Sequence, residues 1–148
     1  MAYENTEVPI AKSQDGIRKL IYSHKGTGVM FISHPPREGL EAMVTIGDTP
    51  YHVRIMATCR DINKSGWKMK PSEREQEARR VWRVLYWHLK AMFEAADSGV
   101  IDIRDVIMPY VVTRDGRTVS EIIVPRMGEV MAMDVTKLLP EKVQGRAN

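Results

Sequence analysis

One stretch of this chain sets the terms for the rest: from Pro71 to Gly99 the apolar residues keep a single helical period without a break. Ala78, Trp82, Leu85, Leu89, Phe93 and Ala96 recur at three or four positions, or at their sum, which lines up side chains on one face of an α-helix. Ser72 and Glu75 have capping-box spacing, in which each side chain takes up a backbone N–H that the first turn leaves free. Ser98-Gly99 supplies the stop. The apolar arc is wide, with Val84, His88, Ala91 and Ala95 extending one flank and Tyr86 and Phe93 the other. Such an arc predicts a central helix, packed on a sheet and on C-terminal helices together.

The elements before it read as one short helix and three strands. Ser13 is placed as an N-cap, with Ile17, Leu20 and Ile21 inward, Gly26 as the stop and Gly16 as a weak point. Val29 to Ile32 is the first strand, closed by His34-Pro35-Pro36. Leu40 to Ile46 alternates, with Ala42, Val44 and Ile46 on one face; Tyr51 to Met56 alternates likewise around Tyr51, Val53 and Ile55. The Gly47-Asp48-Thr49-Pro50 turn between them makes the pair an antiparallel hairpin.

Thr58 to Lys70 has no period and reads as a loop. Beyond Gly99 a short helix starts at Asp102 and meets Pro109, and Thr118 with Glu121 repeats the capping-box spacing ahead of a last helix strained by Pro125. The expectation is a single α+β domain over residues 13–140, in the order α-β-β-β-α-α-α. It has a three-stranded antiparallel sheet covered by the long helix, with additional C-terminal helices alongside. Residues 1–12 read as an irregular N-terminal arm and 141–148 as a frayed tail.

Composition narrows the setting. At 148 residues the chain buries a core without cross-links, and its one cysteine, Cys59, fits a reducing compartment. No apolar stretch approaches the roughly 20 residues that span a bilayer, and the polar start lacks the pattern of a secretory signal. A cytoplasmic protein without a membrane partner is expected.

Net charge is +3, but its distribution says more. Arg60, Lys64, Lys68, Lys70, Arg74, Arg79, Arg80 and Arg83 fall within one segment, against Asp61, Glu73, Glu75 and Glu77. At about 100° per residue, Arg79, Arg80, Arg83, Trp87, Lys90 and Glu94 share the helix face opposite the apolar stripe. An indole flanked by cations suits base stacking beside phosphate contacts. The candidate nucleic-acid-binding residues are therefore Lys64, Lys68, Lys70, Arg79, Arg83, Trp87 and Lys90. A solvated, internally paired charged face is the competing reading.

Signals for catalysis are lacking. His24, His34, His52 and His88 have no metal-ligand spacing, and His88 reads as a satisfied core histidine. Gly26-Thr27-Gly28 lacks the Gly-Lys-Ser/Thr of a phosphate loop, and Cys59 lacks a local activator. No cofactor or catalytic residue is assigned.

Two resemblances add expectations. The order helix, three strands, helix is similar to that of double-stranded-RNA-binding domains, which place lysines at the start of the second helix. Lys68, Lys70 and Arg74 stand there, interleaved with Glu73, Glu75 and Glu77. Separately, Val81-Trp82-Arg83, Lys90-Ala91, Glu94-Ala95, Ser98-Gly99 and Asp115-Gly116-Arg117-Thr118-Val119 resemble a family of small uncharacterised phage and prophage proteins. The family pattern has a longer, less basic link before the long helix and bulkier aromatics at Ile122-Ile123. This resemblance implies a mobile-element origin and two classes of role. One is an accessory protein acting on DNA or RNA. The other is a protein-interaction module, such as an inhibitor or adaptor of a host or phage enzyme or a homodimer, with Trp67, Met43, Met56 and the C-terminal helices in contact.

Overall fold

The computed structural model describes residues 2–134, so the expected frayed tail lies outside the described residues. The chain runs through α1 (Ile10–Ser23), β1 (Gly26–His34), β2 (Arg37–Ile46), β3 (Thr49–Thr58), α2 (Pro71–Asp97), α3 (Ile103–Ile107), α4 (Val119–Ile123) and α5 (Met127–Met131), with 3-10 turns at Met108–Tyr110 and Val124–Arg126. The α+β architecture and its order are those read from the sequence.

The sheet is antiparallel in the order β1-β2-β3. A two-residue link, Gly47-Asp48, joins β2 to β3, with Ile46 opposite Thr49. Gly47 takes a φ of +60°, as a primed hairpin turn asks of its first central residue. Alternation along β2 puts Leu40, Ala42 and Val44 on the buried face, where they meet Val53 and Ile55 of β3 and Val81, Trp82, Leu85, Leu89 and Phe93 of α2. Trp82 is fully buried, its ring edge-on to Phe31. Truncating such a side chain costs about 3–5 kcal/mol.

α1 shares that face of the sheet, through Ile17 and Ile21, and packs along α2. The second cover on the sheet is thus α1, with α3 adding Ile107 to the same core. Gly16 explains the close approach: a Cβ there would stand 2.7 Å from Cε2 of Tyr86 on α2. The glycine that weakens α1 as a helix is the notch that lets it dock. At the far end, His24 stacks on Phe93 with ring centroids 4.1 Å apart, and its Nε2 lies 2.8 Å from an Asp97 carboxylate oxygen.

Several boundaries differ from expectation. α1 starts at Ile10, after Pro9, and Ser13 is a buried residue on the helix rather than its cap. α2 starts at Pro71, whose fixed φ suits the first helical position. The cap then falls two residues earlier than Ser72–Glu75 and is one-sided: the Lys70 N–H donates to the Glu73 carboxylate at 2.7 Å, while the lysine side chain has no acceptor to return the bond. The Thr118–Glu121 box is present as expected, with both of its hydrogen bonds formed. Pro125 divides the last helix into α4, a 3-10 turn and α5. His88 is exposed and bonds Tyr110 Oη at 2.8 Å, so it is no core histidine.

Residues 111–119 close one edge of the sheet. Val111 bridges to Val53, the Val112 N–H donates to the His52 carbonyl at 2.8 Å, and the segment folds back on itself through Asp115-Gly116. The face of the sheet away from the helices carries Glu41, which accepts from Arg54 at 2.7 Å and lies 3.0 Å from His52.

Candidate functional site

α2 is long enough to carry two groups of cations that never meet. Lys70 and Lys90 stand roughly 30 Å apart along its axis at 1.5 Å per residue. Arg74 lies nine positions before Arg83, half a turn round the helix at about 100° per residue. The predicted residues therefore fall into a basic approach to the helix and a ridge on its exposed side.

The ridge is built from α2 alone. Trp87 is 38% exposed, and Tyr86 meets it edge-on with ring centroids 5.2 Å apart. Arg83, one turn earlier, sets its guanidinium 4.8 Å from the Tyr86 ring centroid and 5.3 Å from that of Trp87. Lys90 places Nζ 4.8 Å from the Trp87 centroid from the following turn. These are cation–π distances, and they hold two flexible side chains in place. Tyr86 is fixed by the Gly16 notch, so the docking of α1 sets the position of Arg83. Among the described residues Arg83 makes no ion pair.

The other predicted residues differ in how far their charge is spent. Arg79 pairs with Glu75 at 3.1 Å and bonds Gln76, and Lys90 reaches Glu94 only at 3.8 Å. Lys64 is 80% exposed at its side chain yet holds Glu4 of the N-terminal arm at 2.7 Å. Lys68 and Lys70 are exposed, and neither makes an ion pair among the described residues. Trp67 is 73% exposed beside them, at the tip of a loop closed by Asn63.

Arg80 leaves the face where the sequence puts it. It turns to Glu77, whose side chain is only 1% exposed, with its Nη2 2.7 Å from Oε1. Arg60 reaches the same carboxylate with Nη2 at 2.8 Å and its own backbone N–H at 3.0 Å. Burial pushes the Glu77 carboxyl up, but the hydrogen bonds from Arg80 and Arg60 outweigh it and bring the group to about 2. This cluster is a structural joint between the Cys59–Lys70 loop and α2.

Two acids escape a reading of charge runs. Glu77 is four positions before Val81 and eight before Leu85, in register with the buried side of α2. Glu38 is two positions before Leu40, in register with the buried face of β2. An acid at an apolar register position is the signal that finds both. Among the described residues no group of three or more His, Cys, Asp or Glu is placed to hold a metal ion. No helix among them is long and apolar enough to cross a membrane. No family model, curated protein or solved structure matches this chain.

Proposed function

We propose that the protein is a non-enzymatic accessory of phage-type nucleic-acid metabolism, binding DNA or RNA along the Arg79–Lys90 ridge of α2. The observation that carries this reading is the Arg83 guanidinium, held against two aromatic rings and left without a carboxylate among the described residues. A cation fixed but uncompensated is already ordered for a phosphate, so little side-chain entropy is lost on binding.

The bracing changes the role of Trp87. Arg83 and Lys90 approach the indole from the turns on either side, leaving it less open to a stacked base. In this reading the ridge grips phosphates and Trp87 is the spacer between its cations. Lys68 and Lys70 extend the contact towards the helix start. The phage-type setting rests on the residue pattern between Val81 and Val119.

Fluorescence polarisation with labelled oligonucleotides at low ionic strength tests this. Arg83→Ala with Lys90→Ala is expected to weaken binding at least about tenfold, as loss of charge-assisted hydrogen bonds does. Trp87→Ala is expected to weaken it by only a few-fold, against the ~1–3 kcal/mol that a stacked base loses. Absence of binding by the unaltered chain removes the reading.

A protein-interaction module is the second reading, and the C-terminal segment favours it. Val124, Met127 and Met131 are all exposed there. Concentration-dependent mass in sedimentation, abolished by Met127→Lys with Met131→Lys, supports a homodimer; a monomer at every concentration speaks against one.

A further inference from the structure

A separate site lies behind the first turns of α2, on the side away from the ridge. The Pro35–Pro36 turn, Cys59 and Ala78 form apolar walls of a cavity of about 360 Å³, and Glu38 reaches it from β2. Glu38 is 8% exposed. Its Oε1 accepts from Ser33 Oγ at 2.9 Å, whereas Oε2 is buried with no hydrogen-bond partner among the described residues. A buried carboxylate oxygen with no donor is costly, and few groups in folded proteins are left in that state.

The surrounding charge says what would satisfy it. Arg60 also lines the cavity, but its guanidinium is committed to Glu77 and Glu4. Arg74 and Asp61 stand at the exposed rim, and neither makes an ion pair among the described residues. The uncommitted charges are thus two carboxylates against one guanidinium. Burial pushes the neighbouring Cys59 thiol up to about 11, with Glu38 and Glu77 adding to the shift and Arg80 opposing it.

We infer that this cavity binds a small N–H-bearing cation, an ammonium or guanidinium group, through Glu38, whose carboxylate turns towards the cavity to bring the covered Oε2 to the donor. The group arrives either as a free amine or as a lysine or arginine side chain of a peptide. The site is independent of the nucleic-acid reading, because it shares no residue with the ridge.

Amide resonances of the full ¹⁵N-labelled chain, titrated at constant ionic strength, test the assignment. Methylammonium and methylguanidinium are expected to shift the amides of Glu38, Cys59 and Ala78 with saturation. Tetramethylammonium, equally charged but without N–H, is expected to leave them in place. Glu38→Gln is expected to weaken binding at least about tenfold. Ala78→Met, which fills the cavity without touching the acid, gives a second route to the same loss should Glu38→Gln fail to fold. N-acetyl-arginine amide separates the sources: saturation tighter than methylguanidinium assigns the site to a peptide side chain, and weaker saturation assigns it to a free amine. No saturation with either N–H cation, an equal response to tetramethylammonium, or binding unchanged in both variants overturns the proposal.

Discussion

The second turn of α2 and its middle turns carry the same kind of side chain under different electrostatic conditions. Arg80, with Arg60 from the loop, surrounds a carboxylate shut away from water. Arg83, three residues further on, has aromatic rings for neighbours and no acid within reach among the described residues. In the first place the cations neutralise a charge that folding has buried, and their donors are spent. In the second they are ordered by rings that accept no proton, so their donors stay available. The density of arginines in the sequence does not separate these cases; the burial of one glutamate does.

The contrast is sharpest in stability. Glu77→Ala leaves two guanidiniums facing an emptied pocket, and is expected to lower the free energy of unfolding by about 3 kcal/mol in urea denaturation. The same substitution is expected to leave oligonucleotide affinity within a few-fold once the protein is folded. Arg83→Ala with Lys90→Ala is expected to do the reverse, lowering affinity at least about tenfold while costing only about 1 kcal/mol of stability through the lost cation–π contacts. Equal effects of the two variants on both readouts would erase the distinction between joint and ridge.

Acid probes the joint together with the other carboxylates that arginines hold below their ordinary range, Glu41, Asp102 and Asp115, so the Glu77 variant is what isolates it. The Glu77 carboxyl falls from its ordinary 4.5 to about 2 in the folded chain. The stability it contributes is therefore present above pH 4.5 and is lost as pH falls towards 2. Chemical denaturation across that window is expected to show a decline that is shallower in Glu77→Gln. Thr118→Ala, which removes a capping hydroxyl far from both groups, is expected to cost only about 1 kcal/mol.

Much of this architecture is legible from periodicity. The α2 stripe and the two-residue alternation of β2 and β3 identify Trp82, Leu85, Leu89, Phe93, Ala42, Val44, Val53 and Ile55 as core, because burial on one side forces those patterns, but they miss Val81 and place Ala78, Ala96, Ile46 and Tyr51 deeper than they lie. Helix starts are less legible: Pro71 at the first helical position moves the cap from Ser72 to Lys70, whose side chain offers no acceptor and so leaves no capping pattern in the sequence. The ridge is half legible. Angular position groups Arg79, Arg83, Trp87 and Lys90, but cannot show that Arg80 turns inward or that Lys64 is held by Glu4 some sixty positions earlier. Those depend on which acid lies nearby in space, a long-range property of the fold. Glu38 and Glu77 were open to discovery, since each interrupts an apolar register.

The salt dependence of oligonucleotide binding tests the ridge most directly. Log affinity is expected to fall linearly with log salt, and Arg83→Ala with Lys90→Ala is expected to make that slope shallower by about two. A variant slope equal to that of the unaltered chain would contradict phosphate contact by these two cations.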